Sequence, residues 1–354
     1  MPSVQRKART TGSANWAPDV FFETWESSKS LPKDDDLRTS ITSAFNLSNR
    51  DSYVYHAIAS VTLSEVQEAI ENGNENGLHA WYLDAEGKAI PSPPQSDVSA
   101  YTSIFSSAVS STKALTGLAA NAKKDSHRAR IAQYLQSKRL TSKDYTISKS
   151  KKQHVNPYYD YWCWSCENLE WAGPELGTVN VKTSHHMLPV FMHHFGCVVP
   201  SYEGLEVMKK AARGRPVVEI GSGNGYWAYM LRRMGLKVNA VDNLQSEYRT
   251  LWISDTIVRD GEDYLQAEQG AEDAVLLLVY PVVGLDFTAK ILRGYKGKTI
   301  IVAGTQNRNG YTAFQDRTID EYCTKEKPDF EKKVQIPLPS FAGKDEALFV
   351  FEKT

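Results

Sequence analysis

The sequence predicts an α/β protein with an open sheet in its C-terminal half and a mostly helical N-terminal half. Short strand-like runs alternate with helical patterns after residue 205. One strand-to-helix turn, "EIGSGNGYW", carries three glycines at alternate positions. The chain closes on "KKVQIPLPSFAGKDEALFVFEKT", two strand-like runs joined by a turn-rich loop, which make a terminal hairpin and not another crossover.

The 354 residues are enough for two ordinary domains, and 41% hydrophobic with 11% aromatic content suits sizeable soluble cores. The organisation reads as a mostly helical region over 1–150, an aromatic and histidine-rich connecting segment over 151–205, and a sheet domain over 206–354. A net charge of -1 exerts no global pull on nucleic acid or membrane. The longest apolar run, Ala274 to Leu285, is broken by Pro281 and falls short of the ~20 residues of a membrane span, so no membrane partner is expected. Four cysteines without a secretory signal fit a reducing, cytoplasmic setting. Arg6, Lys7 and Arg9, with no acid before Asp19, read as a solvated tail, a weak organellar transit peptide being the alternative.

Along the first half, Thr62 and Glu65 stand at capping-box spacing in a helix that Gly73 ends. Tyr101, Ile104, Phe105, Ala108 and Val109 repeat with a helical period and predict one buried face. Between Lys123 and Lys152 lie ten Lys or Arg against two Asp. This run reads as a solvated helix face and charged linker, with a docking face for RNA or an acidic protein as the alternative. In the second half, strands are expected over Val217–Ile220, Lys237–Val241, Thr256–Arg259, Ala274–Val279 and Thr299–Ala303.

The glycine turn follows the buried run "PVVEI" and precedes Trp227, Met230, Leu231 and Met234, the spacing of an amphipathic helix stopped by Gly235. In an open parallel sheet ligands bind beyond the carboxyl ends of the strands, where backbone approaches a nucleotide-like group if side chains are missing. A dinucleotide fingerprint needs a small residue where this chain has Tyr226, which disfavours an oxidoreductase. Read as Gly-x-Gly-x-Gly with Glu219 ahead of it, the turn resembles that of the class I S-adenosylmethionine-dependent methyltransferases, over roughly residues 202–353.

That resemblance implies a Rossmann-like sheet with a C-terminal antiparallel hairpin and S-adenosylmethionine as cofactor. It implies that Glu219 orients the methionine amino group and that Gly221, Ser222, Gly223 and Gly225 pass beside the cofactor. Asp242, with Asn243 beside it, would accept both ribose hydroxyls, and Asp260 with Gly261 would read the adenine edge. Where amino-methylating members carry Asn or Asp before Pro-Pro-Tyr, this chain has "LLLVYPVVG", so only Tyr280 and Pro281 match and adenine methylation is not expected.

The connecting segment packs Tyr158, Tyr159, Tyr161, Trp162, Trp164 and Trp171 into a short span, expected as a contact between regions or else as the wall of an acceptor pocket. Cys163 and Cys166 have zinc-knuckle spacing, but a second pair is lacking and no metal is expected. Among His185, His186, His193 and His194, His194 is the candidate general base, and Tyr280 is the second catalytic candidate. The function expected is methyl transfer to a small molecule. The alternatives are an RNA or protein acceptor bound through the basic run and a non-catalytic S-adenosylmethionine-binding protein.

Overall fold

A computed structural model of the chain describes residues 10–57, 59–73, 86–89, 91–181, 186–284 and 286–354. The tail with Arg6, Lys7 and Arg9, and also His185, lie outside the described residues.

The N-terminal half holds α1 (Pro18–Ser27), α2 (Leu37–Ala44), the two-stranded ribbon β1 (Tyr55–His56) and β2 (Ser60–Val61), α3 (Leu63–Asn72), α4 (Gln95–Thr102), α5 (Ser111–Ala120), α6 (His127–Lys138) and β3 (Leu140–Thr141). The connecting segment forms α7 (Pro157–Asn168) and α8 (Leu188–Phe195), and α9 (Tyr202–Ala212) leads into the sheet. The remainder runs β4 (Val217–Ile220), α10 (Tyr226–Arg233), β5 (Val238–Asp242), β6 (Ile257–Val258), α11 (Gly261–Ala267), β7 (Val275–Val279), α12 (Phe287–Gly294), β8 (Thr299–Thr305), α13 (Ile319–Glu326), β9 (Phe330–Pro337) and β10 (Glu346–Lys353).

One sheet of eight strands has the order β3-β9-β10-β8-β7-β4-β5-β6. The strands from β8 to β6 are parallel, whereas β10 runs antiparallel to both β8 and β9, giving the expected hairpin. The chain steps outward from β4 to β5 and β6, then returns to the other side of β4 to lay down β7. That reversal opens a crevice beyond the carboxyl ends of β4 and β7, the position at which doubly wound sheets hold ligands.

Strand alternation decides what covers each face. Val217, Leu277, Ile301, Leu348 and Val350 join a cluster with the N-terminal helices, with α7 to α9, and with Trp227 and Met230 of α10. Val218, Leu276, Leu278, Ile300 and Phe349 face the other way, onto Leu265 of α11, Leu292 of α12 and Tyr322 of α13. The cluster on the first face reaches from Phe21 to Val350, so the N-terminal half shares its core with the sheet. It also lends the sheet a strand: β3 pairs with β9 through Leu140 opposite Gln335 and Thr141 opposite Val334.

Several local expectations hold. Thr62 and Glu65 close a capping box and Gly73 ends the helix at φ +49°. The amphipathic helix after the glycine turn buries Trp227, Met230 and Leu231 and ends before Gly235. The helical period from Tyr101 to Val109 does not persist. After α4 a single 3-10 turn over Ser103–Phe105 buries Ile104 and Phe105, and the chain then bends, leaving Ala108 exposed. Ser106 is the cause, since its Oγ accepts the Ala108 N–H at 3.1 Å and so competes with the helical ladder. The third predicted strand shrinks to Ile257–Val258, while β5 and β8 run on to Asp242 and Thr305.

Candidate functional site

A cavity of about 690 Å3 fills the crevice at the ends of β4, β5 and β7. Glu219, Gly221, Ser222, Gly223, Asp242, Asn243, Asp260, Gly261 and Tyr280 line it; Gly225 and His194 do not.

The glycine turn begins where Gly221 and Ser222 donate their N–H groups to Val241 O at 2.8 and 3.0 Å. Gly221, Gly223 and Gly225 all take positive φ, +76°, +56° and +82°. The space beside two of them belongs to the protein itself. A Cβ on Gly223 would meet Tyr248 Oη at 2.8 Å, and one on Gly225 would meet Ile253 Cγ1 at 2.4 Å. The expectation that all three glycines make room for a ligand is therefore corrected: the missing side chains of Gly223 and Gly225 let Tyr248 and Ile253 pack, and Gly225 lies off the cavity. The segment bearing Tyr248 and Ile253 is anchored to the N-terminal half. Thr10 Oγ1 donates to Arg249 O at 2.6 Å, and Arg249 forms an ion pair with Asp51.

Two carboxylates stand beneath this turn. Glu219 is 1% exposed, and its Oε2 has no hydrogen-bond partner among the described residues. Burial, with the neighbouring Asp242 charge adding to it, pushes its carboxyl up to about 8. A buried carboxyl in that condition is either protonated or waiting for a cation. Ser222 Oγ and Asn224 Nδ2 are likewise buried and unpartnered. Asp242 accepts the Gly223 N–H at 2.8 Å on Oδ2 and the Leu244 N–H at 2.7 Å on Oδ1. Burial raises its pKa and these two N–H groups hold it down. Each oxygen keeps a lone-pair direction free, so Asp242 braces the loop and retains acceptor capacity.

Asp260 caps α11, accepting the Glu262 N–H at 2.9 Å, and Asn243 Oδ1 accepts the Gln245 N–H at 3.2 Å. Both are exposed at the cavity rim. Gly261 lies against β4: a Cβ there would come within 2.4 Å of Ile220 Cγ2.

The far end of the cavity is made by Phe195, Gly196, Cys197, Tyr280 and Val282. Tyr280 leaves β7 at φ +49°, its N–H fixed on Ala303 O at 2.7 Å. Its hydroxyl accepts from Lys344 Nζ at 3.3 Å, and burial raises its pKa well above the ordinary value. Sequence reasoning missed Cys197, Tyr248, Phe287 and Lys344. Their only sequence signal was closeness to a strand or helix end, and Lys344 lacked even a motif.

His194 requires a correction. It is fully buried and stacked on Phe45 at 3.9 Å between centroids, outside the cavity wall. Tyr55 Oη lies 3.1 Å from its Nε2 and Thr250 Oγ1 2.8 Å from its Nδ1. Burial drives its pKa well below the ordinary value, so it is a neutral ring joining β1, α2 and the segment after β6's neighbour β5. With both nitrogens engaged it has no lone pair left for an acceptor's proton. His193 is bound similarly, by Tyr53 at 3.0 Å and His56 O at 2.8 Å.

The aromatic segment is interior packing. Tyr158, Tyr161 and Trp162 are completely buried, and Trp162 Nε1 donates to Ser340 O at 3.1 Å in the β9–β10 loop. Cys163 and Cys166 sit together on α7 as free thiols that burial pushes upward. The basic run is not one solvated face. Arg128 and Arg139 are paired with Asp97 and Glu203, while Tyr134 and Tyr145 donate to Asp345 at 2.5 Å and Glu352 at 2.8 Å. Lys123, Lys124, Lys143, Lys149, Lys151 and Lys152 remain exposed.

No protein-family model matches the chain. No curated protein matches it significantly. Among solved structures, magnesium protoporphyrin IX methyltransferase from Synechocystis PCC 6803 with bound SAM aligns over 42% of this chain and 74% of its own, at 14% identity and a TM-score of 0.30. Burkholderia thailandensis 1,6-didemethyltoxoflavin-N1-methyltransferase, with bound 1,6-didemethyltoxoflavin and S-adenosylhomocysteine, aligns over 42% and 76% at 14% identity and a TM-score of 0.30. Human N-acetylserotonin methyltransferase in complex with SAM aligns over 43% and 55% at 13% identity and a TM-score of 0.26. The strand order of this chain, its glycine turn after the first parallel strand of the sheet and its antiparallel C-terminal hairpin make the Rossmann-like α/β sheet with terminal hairpin that the sequence led one to expect.

Proposed function

We propose that the chain is an S-adenosylmethionine-dependent methyltransferase acting on a small molecule in a cytoplasmic setting. The observation that carries this reading is Glu219: a carboxyl buried at the floor of the cavity with one oxygen unpartnered, where an ammonium would satisfy it. The residues present fit the cofactor. Glu219 would hold its amino group, and the free lone pairs of Asp242 would take the ribose hydroxyls. The turn around Gly221 offers open space on the cavity side, with Phe287 no nearer than 3.8 Å to a Cβ built there.

When bound, the cofactor supplies a methyl group made electrophilic by a positive sulfur. The chain's own contribution is then to bind, to align and to keep water out. Tyr248 covers the glycine turn from the side of the N-terminal strap. Phe195, Trp227 and Val282 give apolar walls suited to a small acceptor.

Calorimetry with S-adenosylmethionine, S-adenosylhomocysteine and NAD tests the cofactor assignment. Binding of the first two and not of NAD is expected, and the reverse order sinks the reading. Transfer of a radiolabelled methyl group into small-molecule, RNA and protein fractions then tests the acceptor class. Tight binding without transfer into any fraction would point to a non-catalytic binding protein.

A further inference from the structure

The loop joining β9 to β10 carries a lysine whose burial the fold alone does not require. Lys344 is 3% exposed, and a turn from Lys344 N–H to Phe341 O at 2.8 Å, with Gly343 at φ +77°, sets its course. Its Nζ lies 3.3 Å from Tyr280 Oη and 3.6 Å from the centroid of the Tyr311 ring. Among the described residues these are its contacts, a phenol and a ring face, with no ion pair.

The titratable groups around it are few. Glu346, on the same side of the hairpin, is itself 3% exposed, accepts from Thr305 Oγ1 at 3.4 Å, and burial pushes it to about 7. Cys197 closes the cavity end with a thiol that burial pushes to about 12. Burial depresses the Lys344 ammonium and Glu346 pulls it back. Tyr280 and Tyr311 are thus the groups its Nζ touches among the described residues, and Glu346 is the nearby carboxyl that acts on it only through space.

An ammonium donating to Tyr280 Oη leaves the phenol's own proton free to donate elsewhere, and Tyr280 lines the cavity. The pair thus offers the acceptor a hydrogen-bond donor backed by positive charge, flanked by the apolar walls of Phe195, Trp227 and Val282. We propose that the acceptor is an aromatic compound whose acidic hydroxyl binds as a phenolate against Tyr280, with Lys344 as the positioning residue behind it. This rests on the methyltransferase reading and narrows it to O-methylation of phenols. In the transfer a lone pair on the phenolate oxygen forms the new O–C bond as the C–S bond breaks and leaves its electron pair on sulfur. The phenol's proton has gone to solvent on binding, so no base is consumed.

The probe is 4-nitrophenol, titrated at a pH where the free compound is mostly the colourless acid. Protein is expected to raise the yellow phenolate band, with and without S-adenosylmethionine, and nitrobenzene is expected to bind at least about tenfold more weakly. Lys344→Met fills the same shape without the charge and should lose the band, Lys344→Arg should keep most of it, and Tyr280→Phe should diminish it. S-Adenosylmethionine calorimetry on each variant checks that the fold persists. The proposal is overturned if the phenol does not bind, binds without ionising, binds no better than nitrobenzene, or ionises equally well on Lys344→Met. A phenolate band in protein that has no affinity for S-adenosylmethionine would sink the methyltransferase reading and leave the anion anchor standing; the converse result would do the opposite.

Discussion

The two ends of the cavity are built by different means. Under the glycine turn, Glu219, Ser222, Asp242, Asn243 and Asp260 come from one stretch of chain, and main-chain N–H groups hold the key carboxylate, Asp242, in place. At the other end the groups come from the close of α8, the end of β7, the segment after β8 and the β9–β10 loop, and the last three meet through their side chains. A site made from consecutive strands and their turns can be fixed by short local runs of residue types. A site assembled by the fold from distant loops has no such run, and its specificity can change without disturbing the first.

The variants with the largest expected effects test whether residues outside that division belong to packing alone. Gly225→Ala forces a side chain into Ile253 at positive φ and should lower stability by about 3 kcal/mol in thermal or urea unfolding. Adding Ile253→Ala should recover part of that loss. His194→Ala removes two hydrogen bonds and a stacked ring from the core and should lose a similar amount, about 3 kcal/mol, with affinity for S-adenosylmethionine unchanged. A selective loss of affinity in either variant would move that residue into the site.

Next comes the cofactor end. Glu219→Ala should weaken S-adenosylmethionine binding about 30-fold, the ~2 kcal/mol of a charge-assisted hydrogen bond, measured by calorimetry. pH sharpens this. Because Glu219 is held up to about 8, a cationic ligand must draw off its proton, so affinity should rise with pH until the ligand's own ammonium, which titrates at about 8, loses its charge, and fall beyond that. The ligand-free fold should behave in the opposite sense. A carboxyl raised from its ordinary 4.5 to about 8 stabilises most at low pH, and that stability drains away as pH climbs through the interval. Asp345 and Glu346, raised to about 6 and 7, contribute to the same decline, so Glu219→Gln should flatten only part of it. An affinity that ignores pH in the wild type would remove Glu219 from the cofactor's amino group.

The smallest effect is expected at the exposed lysines. Reversing Lys123, Lys124, Lys151 and Lys152 to Glu should leave melting temperature and S-adenosylmethionine affinity within error, since surface charges of this kind contribute little. A loss of transfer to an RNA or protein fraction in that variant would replace the small acceptor with a macromolecular one.

What could be read beforehand follows the same division. Glu219, the glycines and Asp242 were legible because a strand, a tight turn and a helix leave a local pattern, and the hairpin announced itself through two strand-like runs around "PLPSFAGKD". The function of the individual glycines was not, because Tyr248 and Ile253 reach them from a separate segment. His194 looked like a base because histidine suits that work at neutral pH, but only packing reveals that Tyr55 and Thr250 already occupy its nitrogens. In the same way the basic run concealed two structural arginines, Arg128 and Arg139, whose partners lie far off in sequence.

The two-residue strand Leu140–Thr141 settles how separable the halves are. It occupies the outer margin of the sheet, so a fragment starting after it would bare the edge of the Phe330–Pro337 strand at Val334 and Gln335 to any passing chain. Excising the C-terminal portion as a free-standing unit would also bare the core it shares with the N-terminal helices, and should yield a sticky, self-associating product. An engineered version would need a charged or proline-bearing substitute along that margin before it could remain in solution.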